Sequence, residues 1–181
     1  MIVEKGGRLR ILLPLAFIVL GIIFRVMPHP ANFSPIFAIA LFGGTYFTDR
    51  RLAVIVPLAA LFISDFFLGF YSPTMMLFVY LGLLFSSLLG FWVRKHKSAL
   101  NIAGASLASA VIFFLLSNFG VWLAPFSGYG KSLAGLWQCY VMAIPFIRYT
   151  LLSNLVYSAI LFGGYELVSQ VLKRKFQTSA G

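Results

Sequence analysis

The chain has few charges and little of what catalysis needs. Only four of its 181 residues are acidic, Glu4, Asp49, Asp65 and Glu166, and charged residues make up 10%. A soluble domain carries about 25% charged residues, so this chain could not cover a water-facing surface. The single cysteine, Cys139, excludes an intrachain disulfide and leaves the redox compartment open. It reads as a small packing residue or a ligand. The only histidines, His29 and His96, fall on opposite sides of the expected membrane, which excludes a histidine-based metal cluster. So few acids give a metal-activated hydrolase too few ligands. No Gly-rich phosphate loop, Gly-x-Ser-x-Gly or triad-like spacing is present. The chain is therefore expected to be no enzyme and to need no cofactor. Without a nucleotide-binding motif it cannot drive transport with ATP by itself.

What the chain has is long apolar runs, 61% hydrophobic residues in all, punctuated by basic clusters. Lys5, Arg8 and Arg10, then Arg50 and Arg51, then Arg94, Lys95 and Lys97, then Lys173, Arg174 and Lys175 hold most of its 14 Lys and Arg residues. The turns midway, around Pro28-His29-Pro30, Tyr71-Ser72-Pro73 and Ser127-Gly128-Tyr129, are nearly free of positive charge. Alternating basic and non-basic loops mark a polytopic helical membrane protein with the basic loops cytoplasmic. Six crossings with both termini inside follow. The net charge of +10 does not point to nucleic acid, because the charges sit where topology requires them. They also suit anionic inner-leaflet lipid. The first apolar run ends in Arg25-Val26-Met27-Pro28 with no small-x-small cleavage site, so it reads as a retained helix rather than a signal peptide.

The pattern predicts one all-α domain over 1–181, with helices near 9–27, 34–48, 52–70, 75–93, 99–123 and 140–172. The second is short against the about 20 residues a straight crossing needs. The sixth is long, and is expected to tilt or to break at Pro145. A Gly-rich linker over 124–138 is expected to act as a lid. Small residues four apart, Ala40 and Gly44, then Gly82, Ser86 and Gly90, then Gly104 with Ala108 and Ala105 with Ser109, predict close helix packing, within the chain or against a partner.

Polar groups inside a bilayer are costly, so each is a candidate for function. The topology gathers them at the outer side. Asn32, Asp65, Asn118, Trp122 and Arg148 are the candidate ligand-binding residues, with Arg25, His29, Trp137, Gln138 and Tyr140 in support. Asp65 at that depth needs a cation, and Arg25 and Arg148 are both at compatible depth. An ion pair fixing two helices and a ligand contact are both open for Asp65, and Arg148 follows the same logic. The aromatics Trp122, Trp137 and Tyr140 suit an interfacial belt or a stacking site. Glu166 lies near the Lys173 cluster, where pairing with a basic residue is expected.

Pro28-His29-Pro30-Ala31-Asn32-Phe33-Ser34-Pro35, Ala40-Leu41-Phe42-Gly43-Gly44, Ser64-Asp65, Ser117-Asn118-Phe119-Gly120-Val121-Trp122, Ala143-Ile144-Pro145-Phe146 and Leu161-Phe162-Gly163-Gly164 carry a resemblance over nearly the whole chain. It resembles an uncharacterised family of bacterial integral membrane proteins catalogued as putative transport proteins. That family is distantly similar, at fold level, to the substrate-binding S components of energy-coupling-factor (ECF) vitamin transporters. The resemblance implies an inner-membrane six-helix bundle binding a small vitamin-like solute in an outward pocket. It also implies docking on a coupling protein that carries ATPase subunits, through an Ala-x-x-x-Ala face on helix 1. Here Ala16 is followed by Leu20, so the chain departs from that pattern. The expected function is uptake of a vitamin-like or cofactor-precursor solute. The alternative is a non-transporting scaffold of cell-envelope machinery, which an outer half packed without a cavity would favour.

Overall fold

The structure is a computed structural model that describes residues 12, 15, 16, 18–20, 22–28, 32–47 and 49–178. Lys5, Arg8, Arg10 and the supporting candidate His29 lie outside the described residues. Those described are helical almost throughout, with no strand among them. Helical positions between 12 and 26 form α1. Then follow α2 (Ile36–Tyr46), α3 (Arg50–Leu68), α4 (Pro73–Lys95), α5 (Ala99–Leu123) and α6 (Leu133–Ser158). A π-helical turn (Ala159–Gly163) leads from α6 into α7 (Gly164–Thr178).

Local chemistry sets most of these ends. Asp49 accepts the Arg51 N–H, Ser98 the Asn101 N–H and Ser132 the Gly135 N–H, so α3, α5 and α6 each begin on a side-chain cap. Pro73 opens α4, where its missing N–H costs nothing. Gly69 ends α3 at φ 95°, a conformation glycine reaches without strain.

The spans Arg50–Leu68, Pro73–Lys95, Ala99–Leu123 and Leu133–Leu172 are long and apolar enough to cross a membrane. Their outward faces carry large apolar side chains such as Phe66, Leu77 and Leu152. Such an inside-out surface belongs to a membrane-embedded protein.

α2 sits inside this ring. Ten of its eleven residues, Ile36 to Thr45, are buried, so it is apolar on every side rather than on one stripe. At about 1.5 Å per residue it is roughly 16 Å long, about half a hydrocarbon core. It is shorter at each end than the expected 34–48. Its approach to α4 is glycine on glycine: a Cβ built on Gly44 would lie 2.9 Å from the Gly90 Cα. The small-residue pattern therefore marks an internal contact here. On α5 it divides, since Ala105 and Ser109 are buried while a Cβ at Gly104 meets nothing within 4 Å.

The long last helix departs from the expected 140–172 at its start. It begins at Leu133, because Ser132 caps it and Gly135 nests against the Gly130 backbone. The connection to α5 is therefore nine residues, Ala124–Ser132, instead of a lid over 124–138. It runs unbroken through Pro145, and its winding changes at Ala159–Gly163.

At the end holding Arg50 and Arg94, Arg94 closes the C-terminus of α2. Its Nη2 donates to the Gly44 carbonyl at 2.6 Å and to that of Phe47, and its Nε to Thr45 at 3.2 Å. Last-turn carbonyls have no partner within their own helix, and a cation satisfies both their hydrogen bonds and the helix dipole. Beside it Glu166 pairs with Lys97 and accepts the Tyr46 hydroxyl at 2.6 Å.

Candidate functional site

The opposite end carries an ion pair and a cavity. Arg25, near the end of α1, pairs with Asp65 of α3, and its Nε donates to the Ser64 Oγ at 2.6 Å. Ser64 passes its own hydrogen to the Leu61 carbonyl at 2.8 Å, and the Tyr80 hydroxyl of α4 donates to the other Asp65 oxygen at 3.2 Å. Of the two candidate partners for Asp65, the structure pairs it with Arg25. The side chains are 12% and 2% exposed, so this is a desolvated pair with a neutral acceptor, Ser64, on the guanidinium and a neutral donor, Tyr80, on the carboxylate. The Tyr71 phenol lies in the loop between α3 and α4. Burial first, then the Asp65 carboxylate, push its pKa up, so it stays a proton donor at neutral pH.

The cavity has two lobes that share Asn32, Val79, Phe113 and Thr150. The first, about 240 Å³, reaches Asn118 and Ser117 on α5 and Phe146 on α6. The second, about 220 Å³, reaches Arg25, Ser34 and Tyr71. Both fall below the roughly 300–1,000 Å³ of sites for drug-sized ligands. Phe113 is the aromatic ring of the shared wall, and its centroid lies 4.1 Å from that of Phe37 in the second lobe.

Asn32 turns the chain from α1 into α2 at φ 63°, a left-handed conformation that asparagine tolerates better than most residues. Its carbonyl accepts the Ser153 Oγ at 3.5 Å, tying the turn to α6. The Asn118 amide nitrogen donates to the Phe114 carbonyl one turn back at 2.8 Å, which leaves its oxygen as an acceptor. The Ser34 Oγ is buried with no partner among the described residues.

The sequence-derived candidates separate into two groups. Asn32 and Asn118 line the cavity, Arg25 lines its second lobe, and Asp65 lies behind Arg25 without lining either lobe. Trp122, Arg148, Trp137, Gln138 and Tyr140 do not line it among the described residues. Trp122 instead fastens the α5–α6 connection. Its ring N–H donates to the Gly130 carbonyl at 2.9 Å, and Lys131 bonds its carbonyl and that of Ala124. Arg148 is exposed, with its guanidinium 4.9 Å above the ring of neighbouring Tyr149. Trp137 and Gln138 are exposed on the first turns of α6, and the Tyr140 hydroxyl donates to the Leu115 carbonyl at 2.8 Å. The rotation of α6 in the bundle turns Trp137, Gln138 and Arg148 away from the cavity.

Sequence reasoning placed Ser34 at this depth without a role and missed Tyr71, Tyr80 and Thr150. The signal that could have found them was a hydroxyl at the depth of Asp65. Among the described residues no group of three or more His, Cys, Asp or Glu could hold a metal ion.

No curated protein and no solved structure matches the chain. The model of a family of unknown function, DUF6580, matches residues 6–178. The chain belongs to that family.

Proposed function

We propose that the chain is a membrane uptake protein that holds a small solute in a cavity opening to the outer side. The reading includes six crossings, both termini in the cytoplasm, an S-component-like arrangement in the bacterial inner membrane and a vitamin-like or cofactor-precursor solute. The observation that carries it is the cavity between α2, α4, α5 and α6, where amide and hydroxyl groups stand among aromatic rings. A bundle that only had to pack has little reason to put polar groups around a void in the membrane. Energy would have to come from a partner of ECF type or from the solute gradient.

Native mass spectrometry of gently purified protein is the test. A small molecule should co-purify, and Val79→Phe, which places a ring where the two lobes meet, should remove it. Wild type carrying no adduct while transporting nothing would favour the scaffold. Topology is tested separately in a cysteine-free background. Cysteines at Ser72 and Ser127 should label from outside, and those at Ser98 and Thr178 only from inside, since the basic clusters fix the inner face. A mixed pattern would refute six crossings.

A further inference from the structure

Resting on the solute-site reading, the geometry points to the chemical class of the ligand: an uncharged, flat ring compound with a hydrogen-bonding edge, selected against its anionic isostere by the Arg25–Asp65 pair. Size comes first. A dry cavity of about 150 Å³ admits benzene, so the first lobe, about 240 Å³, takes a six-membered ring, whose substituent reaches past the shared Val79 and Thr150 into the second lobe, where Ser34 and Arg25 lie. Shape comes second. Phe113, Phe114 and Phe146 border the first lobe, and aromatic rings prefer offset or edge contacts with another flat ring.

Polarity comes third. Asn118 offers an acceptor, Thr150 a hydroxyl at 4% exposure, and the buried Ser34 Oγ has no partner among the described residues. These are neutral groups, and a buried polar atom left without a hydrogen bond is costly, so a ligand edge that supplies one is favoured.

Charge decides the class. Arg25 is the only charged residue lining either lobe among the described residues. Its charge is already balanced by Asp65, which is 1% exposed and does not itself line the cavity. An anionic ligand at the guanidinium would compete with Asp65 for its charge and leave a buried carboxylate less well compensated. A cationic ligand would meet Arg25 and find no lining carboxylate. A neutral ligand disturbs neither.

The test uses the full chain in nanodiscs at pH 7 with three probes of one shape, benzamide, benzoate and benzylamine. Benzamide should bind saturably and at least about tenfold more tightly than the two ions, and Val79→Phe should abolish its binding. Asp65→Asn keeps the shape but removes the balancing charge, so benzoate should gain about tenfold while benzamide changes little. Benzoate binding wild type as tightly as benzamide would overturn the charge assignment while leaving a solute site in place. Binding of none of the three that Val79→Phe can remove would overturn the site as well. If Asp65→Asn does not fold, the order of affinities in wild type still decides.

Discussion

Gly44→Val and Gly90→Val should each leave almost no folded protein. A Cβ on Gly90 would lie 2.8 Å from the Gly44 Cα, and one on Gly44 2.9 Å from the Gly90 Cα. Both distances are within the range that real side chains essentially never show, and the opposing atoms are backbone. A side-chain tip could swing away, but two helix backbones can only move apart. Separating α2 from α4 would open the centre of the bundle, where Ile39, Ala40 and Leu41 are fully buried. We expect a loss of roughly 4 kcal/mol or more, at the extreme end for one substitution. The readout is the monodisperse fraction after detergent extraction, with thermal unfolding of whatever survives. Gly104→Ala is the control. Its Cβ meets nothing within 4 Å, and alanine should favour the helix by up to about 1 kcal/mol. Wild-type stability for Gly44→Val would mean that α2 and α4 are not in backbone contact.

Asp65→Ala should be the most destabilising change to a charge. It strands the Arg25 guanidinium, which is 12% exposed, and takes the acceptor from Tyr80. Breaking a buried pair from one side typically costs about 3–5 kcal/mol, because the remaining charge stays buried. Arg25→Ala/Asp65→Ala removes both charges and should cost less than Asp65→Ala alone, the signature of a pair whose halves are worth more together than apart. Thermal unfolding of the three variants in one detergent measures this. Equal stability of wild type and Asp65→Ala would count against the pair.

Much of this was legible before any coordinates. The ends of α5 coincide with the predicted 99–123, because Ser98 caps one end and Ala124-Pro125 punctuates the other. The Arg25–Asp65 pair was foreseeable because a lone carboxylate among apolar residues has few places to go. The start of α6 was not. Gly128, Gly130 and Gly135 read as one loose linker, and nothing local says that Gly135 has already joined a helix. The cavity walls were only half legible. Depth follows from topology, which placed Asn32, Asn118, Trp122 and Arg148 at one level. Which of them turns inward follows from helix rotation, and that is set by packing that composition does not encode. Depth also has to be finer than topology gives: Asn118 and Trp122, four residues apart on one face of α5, differ by a turn in height, and one lines the cavity while the other secures a loop.

The π turn at Ala159–Gly163 has a rotational meaning. An α-helix advances about 100° per residue, so a single wider turn re-phases everything after it by roughly that angle. Upstream, Ser153 and Asn154 point into the bundle. Downstream, the Tyr165 ring lies tilted against that of Tyr46 with centroids 3.9 Å apart, and Glu166 reaches Lys97. Twelve residues of uniform winding would leave Ser153 and Tyr165 about a third of a turn apart, whereas one wider turn brings both to nearly the same side of the rod. The turn acts as a gear between two halves of one rod, letting the upper half face the cavity while the lower half locks the basic end of the bundle.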